Sequence, residues 1–338
     1  MTLFWVGALA LTMLLYVVLD GFDLGIGMIL GLTRSEDDRR RMLATIAPVW
    51  DGNETWLVLA VVIIFGAFSK VYAALLSAFY LPIVMMLGAL ILRGVAFEFR
   101  NKTSRLRWVW DYAFTGGSIV ATFMQGVMVG QLAQGLPLAD GVYMGGPLLW
   151  LNPFSLLCGL GLCFGYALLG LAWLIAKCEG VLRARAYWLL PLVLAAVLGF
   201  LAIVFVYALA THVPIMNRWL ERPWLAVFPL IGACAVISLL LHLRDLMFHR
   251  RLQTPDRLPF IMVVLLFLSA FATLAASFWP FMVPFSLTIA QAASPHASQA
   301  FMFWGAGLIF LPLTLFYAVF SYRVFGGKIV DEPEHVHS

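Results

Sequence analysis

The stretch LFWVGALALTMLLYVVLDGFDLGIGMILG, Leu3 to Gly31, decides the fold. It contains no basic residue and outruns the roughly 20 apolar helical residues that cross a bilayer core. Two carboxylates, Asp20 and Asp23, nevertheless lie well inside it, three residues apart and so on neighbouring faces of one helix. An acidic side chain near mid-span costs about 2.5 to 3.5 kcal/mol on insertion scales. Neither carboxylate can therefore face lipid, and both require a bundle interior, a counter-ion, a proton or water. Gly21 and Gly25 supply a small-xxx-small face beside them on which a neighbouring helix can pack closely.

Working outward, comparable apolar runs recur as far as Tyr322, and the 338 residues are 63% hydrophobic and only 11% charged. Soluble domains carry about 25% charged residues, so an ordinary soluble fold is excluded. Strand-type alternation is absent, and the chain reads as an all-α integral membrane protein of about nine transmembrane helices in a single polytopic domain. Breaks at charge clusters and Gly/Pro-rich stretches place the helices near 3–31, 43–66, 72–98, 111–134, 151–176, 187–210, 224–247, 260–280 and 300–324. The N-terminus lacks the basic region of a signal peptide and is expected to remain as the first helix. Trp279 to Pro284 reads as an interfacial helix end with an aromatic anchor.

Lysine and arginine orient the spans. Seventeen of the 21 basic residues fall in alternate loops, in clusters around Arg39, Arg100, Arg183, Arg250 and Lys328. The opposite loops hold Lys70, Arg218 and Arg222, and Arg93 stands inside a helix. By the positive-inside rule the N-terminus faces outward and the C-terminal tail faces the cytoplasm. The net charge of +4 is thus a matter of insertion, and no nucleic-acid partner is implied.

The second span carries WDGNETW, Trp50 to Trp56, a polar segment between apolar flanks. Counted from the basic clusters at about 1.5 Å per residue, Asp23 lies roughly 14 Å and Asp51 roughly 15 Å inward, so the two are expected in one layer. Arg93, about 10 Å inward by the same count, is the natural counter-ion for the group of Asp20, Asp23, Asp51 and Glu54. Ionisable residues within spans mark function by default, and a buried pair that only fixes helix register is the bland alternative. Glu98, Asp111 and Glu179 fall near helix ends and are expected to be solvated.

Cys158, Cys163, Cys178 and Cys234 lack metal-ligand spacing and read as core packing. The six histidines discourage a haem or metal reading: His335 and His337 lie in the tail, His212 and His296 in outer loops, and His242 and His249 at a helix end. No metal site is expected.

Together DGFDLGIG (Asp20 to Gly27), WDGNETW (Trp50 to Trp56), LRGVAFEFR (Leu92 to Arg100) and LNPFSLL (Leu151 to Leu157) resemble subunit II of the cytochrome bd quinol oxidases. WPFMVP (Trp279 to Pro284) and the FGGK that ends at Lys328 extend the resemblance over nearly the whole chain. It implies two four-helix bundles plus one peripheral helix, paired as a heterodimer with a similarly folded, haem-bearing subunit I in a prokaryotic cytoplasmic (inner) membrane, with a small single-helix accessory subunit and bound lipid or quinone as further possible partners. Haem b558, haem b595 and haem d are expected in subunit I, and the electron donor is ubiquinol or menaquinol. The resemblance also implies a proton route through Asp51, beside Asp20, Asp23 and Glu54, and oxygen access near Trp56. Two rivals remain open on the residues alone: an ion-coupled secondary transporter and a purely structural assembly subunit.

Overall fold

The computed structural model describes residues 1–100, 102–103, 105–211, 219, 221–249 and 256–329. His212, Arg218, Arg250, Arg251 and the tail with His335 and His337 lie outside the described residues.

The apolar run first quoted forms α1, Thr2–Leu30. Ser35 then caps α2, Glu36–Ile46, accepting from the Asp38 N–H, and the first turn of α2 is wholly acidic, as the helix dipole favours. Only the Met42, Leu43 and Ile46 edge of α2 carries buried apolar side chains. The expected span 43–66 is therefore two helices: α2 ends at Ile46, and α3 runs over Trp50–Ala67. Pro48 accounts for the break, since it disfavours helix at the residue before it and has no N–H to donate. The expected span 72–98 divides in the same way into α4, Ser69–Ala78, and α5, Tyr80–Arg100. The break is at Phe79, and Pro82 sits in the first turn of α5, where an N–H has no intrahelical partner.

Next comes α6, Arg107–Gln134, followed by a small ribbon of β1, Leu138–Ala139, and β2, Val142–Tyr143. Asp140 and Gly141 turn it with positive φ of 51° and 81°, the pattern of a tight hairpin turn. Asn152 caps α7, Pro153–Lys177; α8 covers Gly180–Ala210, α9 Val227–His249 and α10 Leu258–Phe278. The chain does not continue from α10 as a helix end: Phe281–Val283 forms β3 and pairs antiparallel with β4, Leu287–Thr288. These two ribbons are the strands that the absence of long alternating runs left unforeseen. Short helices α11, Ile289–Ala292, and α12, His296–Met302, lead through a widened turn at Phe303–Gly307 into α13, Leu308–Val324.

Among the described residues eight helices are long and apolar enough to cross a membrane, and the final pair, bent by 48°, makes a ninth if counted as one span. In the middle of the assembly stands α1, packed on α3, α6, α7 and α10. It approaches α7 so closely that a Cβ added at Gly25 would lie 1.9 Å from the Tyr166 carbonyl oxygen, and one at Gly170 would lie 2.7 Å from Gly25. Around that crossing pack Phe22, Leu24, Ile26, Leu171 and Trp173. A second apolar cluster, built on Trp5, Phe68, Phe79, Val283 and Leu287, closes the opposite end beneath the ribbons.

Ion pairs gather the basic loops at one end of the molecule. Arg39 and Arg100 both reach Asp111, Arg185 reaches Asp38, and Lys328 bridges Glu179 and Asp256. Exposed Trp108, Tyr112 and Trp188 ring this basic end, and exposed Trp224, Trp279 and Trp304 ring the other, as expected of side chains at two membrane interfaces.

Candidate functional site

The close α1–α7 crossing drives the Asp20–Gly27 segment into the interior, so that Asp20 and Asp23 are 0% and 1% exposed. Arg93, on α5, is equally buried; its Nη2 donates to Asp20 Oδ1 at 2.7 Å and lies 3.6 Å from Glu54 Oε1. One guanidinium thus brings α1, α3 and α5 together.

The partner of Asp23 is different from the one expected. Asn53 Nδ2 donates to Asp23 Oδ2 at 2.8 Å, and the Tyr322 hydroxyl of α13 donates to Asn53 Oδ1 at 2.8 Å. Asp51 is exposed and does not enter the layer. The depth count was close, because Asn53 and Asp51 differ by about 3 Å along the axis, but two residues also turn the helix by about 200°. Asp51 therefore points away from Asp23, out of this chain. Glu54 takes an intermediate position, its side chain 23% exposed. Trp56 is buried.

The layer holds more polar atoms than it satisfies. Asp20 Oδ2, Asp23 Oδ1, Arg93 Nε and Nη1, and Trp56 Nε1 are buried without a hydrogen-bond partner among the described residues. A buried polar group left unpaired costs about 1 to 3 kcal/mol, and more when charged. Beside Asn53, Gly52 and Tyr322 lies a cavity of about 10 Å³, close to the space of one water.

A second polar group continues along α1. Gln125 Nε2 donates to the Tyr16 hydroxyl at 2.7 Å and its Oε1 accepts from the Tyr166 hydroxyl at 3.1 Å, tying α6 to α1 and α7 one turn from Asp20. The sequence reading missed Tyr16, Gln125, Tyr166 and Tyr322, and it quoted Asn53 without assigning it. An amide in the middle of the apolar run of α6 was the one available signal for Gln125.

Asp111 corrects another expectation. It is 4% exposed, accepting from Arg100 Nε and from Arg39 Nη1, while Arg100 Nη2 also donates to Glu36 at 3.0 and 3.1 Å. Glu98 and Glu179 are exposed.

His242 is buried against the Tyr187 ring, with Nε2 unpaired among the described residues. No group of three or more His, Cys, Asp or Glu among the described residues has the geometry of a metal site. A groove of about 270 Å³ at the basic end is lined by no His, Cys or Met. These side chains do not fit a haem iron.

The sequence profile of the family described as cytochrome bd terminal oxidase subunit II matches residues 1–325. The chain belongs to that family. "Cytochrome bd-I ubiquinol oxidase subunit 2" of Escherichia coli K12 is 31% identical, covering 94% of this chain and 92% of its own length. "Cytochrome bd ubiquinol oxidase subunit 2" of Bacillus subtilis is 37% identical over 59% of this chain and 61% of its own length. A chain in the structure of bd oxidase from Geobacillus thermodenitrificans matches with a TM-score of 0.70, covering 94% of this chain and 98% of that one at 18% identity. As a member of the cytochrome bd subunit II family, the chain has the predominantly helical, many-span fold of that oxidase, and its buried layer is drawn largely from the motifs on which the resemblance rests.

Proposed function

We propose that this chain is the subunit II of a quinol-oxidising, oxygen-reducing complex in a prokaryotic inner membrane, and that its carboxylate layer takes up protons from the cytoplasm for the partner. The haem-bearing subunit I is the partner, holding haems b558, b595 and d, and ubiquinol or menaquinol is the donor. The spans group as two four-helix bundles and a peripheral helix, with the N-terminus outside. Oxygen approaches near Trp56.

One observation carries the reading: an acidic side chain in a span faces out of the chain. Asp51 is exposed in the first turn of α3, three residues before the half-buried Glu54, on a face that this chain leaves uncovered. A protein surface laid over that face of α3 would give the carboxylate its partners. Asp51 would then stand at the seam between subunits, with Glu54 joining it to the Arg93 and Asp20 pair inside. The unpaired atoms around Asp20, Asp23 and Arg93 are what a water-assisted proton path needs and what a purely structural ion pair avoids.

The test is Asp51→Asn in the assembled oxidase, with oxygen consumption and membrane-potential formation measured across pH. A fall in both, at normal haem content, supports the path. Unchanged rates at every pH would sink it. A fall in yield alone would reduce the layer to an assembly device, and solute flux by the isolated, colourless chain would replace the oxidase reading with a transporter.

A further inference from the structure

The groove of about 270 Å³ at the basic end lies between the last turns of α1, the C-terminal half of α7 and the first half of α8. Its floor is Leu171, Leu174 and Leu182, each at most 5% exposed, its accessible leucine wall is Leu32 and Leu189, and its mouth carries Arg34 and Arg185. Trp188, 74% exposed beside Leu189, marks this level as the boundary between acyl chains and headgroups. Arg34 is exposed and forms no ion pair among the described residues. Arg185 is bound to Asp38 through Nη1, which leaves the rest of its five N–H donors free. The other acids of α2 are engaged elsewhere: Glu36 with Arg100 and Arg107, and Asp37 with Arg41.

We infer that this groove is a binding site for an anionic phospholipid of the leaflet on the basic side, one acyl chain lying along the leucine wall and the phosphate held by Arg34 and Arg185. A purely apolar occupant leaves the guanidinium pair unused, and a small anion leaves the leucine wall wet. Only an amphiphile with an anionic head meets both, and basic pockets between spans on the cytoplasmic side favour such headgroups. The inference rests on the chain spanning a membrane and is independent of the proton path.

The experiment uses the purified complex, stripped of lipid in detergent and supplied with phosphatidylglycerol or phosphatidylcholine of identical acyl chains, or with inorganic phosphate. Retained lipid is read by native mass spectrometry and thermal stability by unfolding. Phosphatidylglycerol is expected to be retained and to raise the melting temperature more than phosphatidylcholine. Arg34→Gln, which breaks no ion pair, should weaken its retention about fivefold, the effect of one basic residue at an anionic surface, without changing phosphatidylcholine or oxygen consumption. Equal retention of the two lipids overturns the proposal, as does full retention in both Arg34→Gln and Arg185→Gln. Equal stabilisation by phosphate alone would make it a free-anion site and also overturn it.

Discussion

Arg93 and Arg100 lie two turns apart on one face of α5, both almost completely buried and both paired with carboxylates, yet their surroundings differ. Arg100 stands in a nearly closed cluster, in which Arg39, Arg100, Glu36 and Asp111 leave no buried atom unpaired among the described residues and Arg107, at its edge, leaves its Nε. Both oxygens of Asp111 are bonded, both oxygens of Glu36 accept from Arg100 Nη2, and Arg39 also donates to the Thr33 carbonyl. Arg93 stands in an open one, where two of its own nitrogens and one oxygen each of Asp20 and Asp23 have no partner among the described residues. A satisfied network rigidifies what it joins, whereas buried polar atoms left unpaired call for a water, an ion or a chemical role to account for them. Under the proposed function the difference separates a lock, which fixes the α2, α5 and α6 ends, from the proton-transferring layer.

The largest expected effect comes from breaking the open cluster. Arg93→Leu strands Asp20 as a buried charge, at a cost of about 3 to 5 kcal/mol. The measured outcome should be loss of assembled complex, with Arg93→Lys recovering part of the yield. Arg100→Leu should cost less, about 1.5 to 3 kcal/mol, because Arg39 still holds Asp111. Complex that does assemble with Arg100→Leu should turn over at the normal rate. A turnover defect there, at normal haem content, would erase the distinction between lock and site.

Asp23→Asn sharpens the comparison from the other side. The amide is isosteric and can still accept from Asn53, so yield and melting temperature should hold. Oxygen consumption should fall by about a hundredfold, the lower end of what a positioned proton-transfer group contributes. Normal turnover would move the layer into the same class as the Arg100 cluster.

Much of this was readable in advance, for reasons that also mark where reading stopped. Hydropathy found the spans because the bilayer constrains length, and Asp20, Asp23 and Arg93 stood out because charge in an apolar run is costly. Helical phase was harder. The choice between Asp51 and Asn53 as the partner of Asp23 depends on where α3 starts, and Pro48 sets that start inside what reads as one span. The turn at Phe79 and the bend before Leu308 lie in apolar sequence that hydropathy cannot divide. Asp111 looked solvated because it is near a helix end, and only the packing of α6 on α5 returns it to Arg100, 11 residues away. Gln125 meets Tyr16 across 109 residues, a pairing that local periodicity cannot encode.

The smallest effect is expected at Tyr322, where the open cluster meets α13. Tyr322→Phe removes the donor to Asn53 Oδ1 beside a cavity that admits about one water, so a water can take over the bond. Stability should fall by about 0.5 to 1.5 kcal/mol, the net worth of one hydrogen bond, and turnover should stay within a few-fold. The result discriminates because Asn53 donates to Asp23 and to the Leu19 carbonyl while accepting from Tyr322. If the hydroxyl only orients that amide, the water substitutes and the rate survives. If turnover falls as far as in Asp23→Asn, the proton passes through the tyrosine itself, and the open cluster extends from α1 through α3 to the last span of the chain.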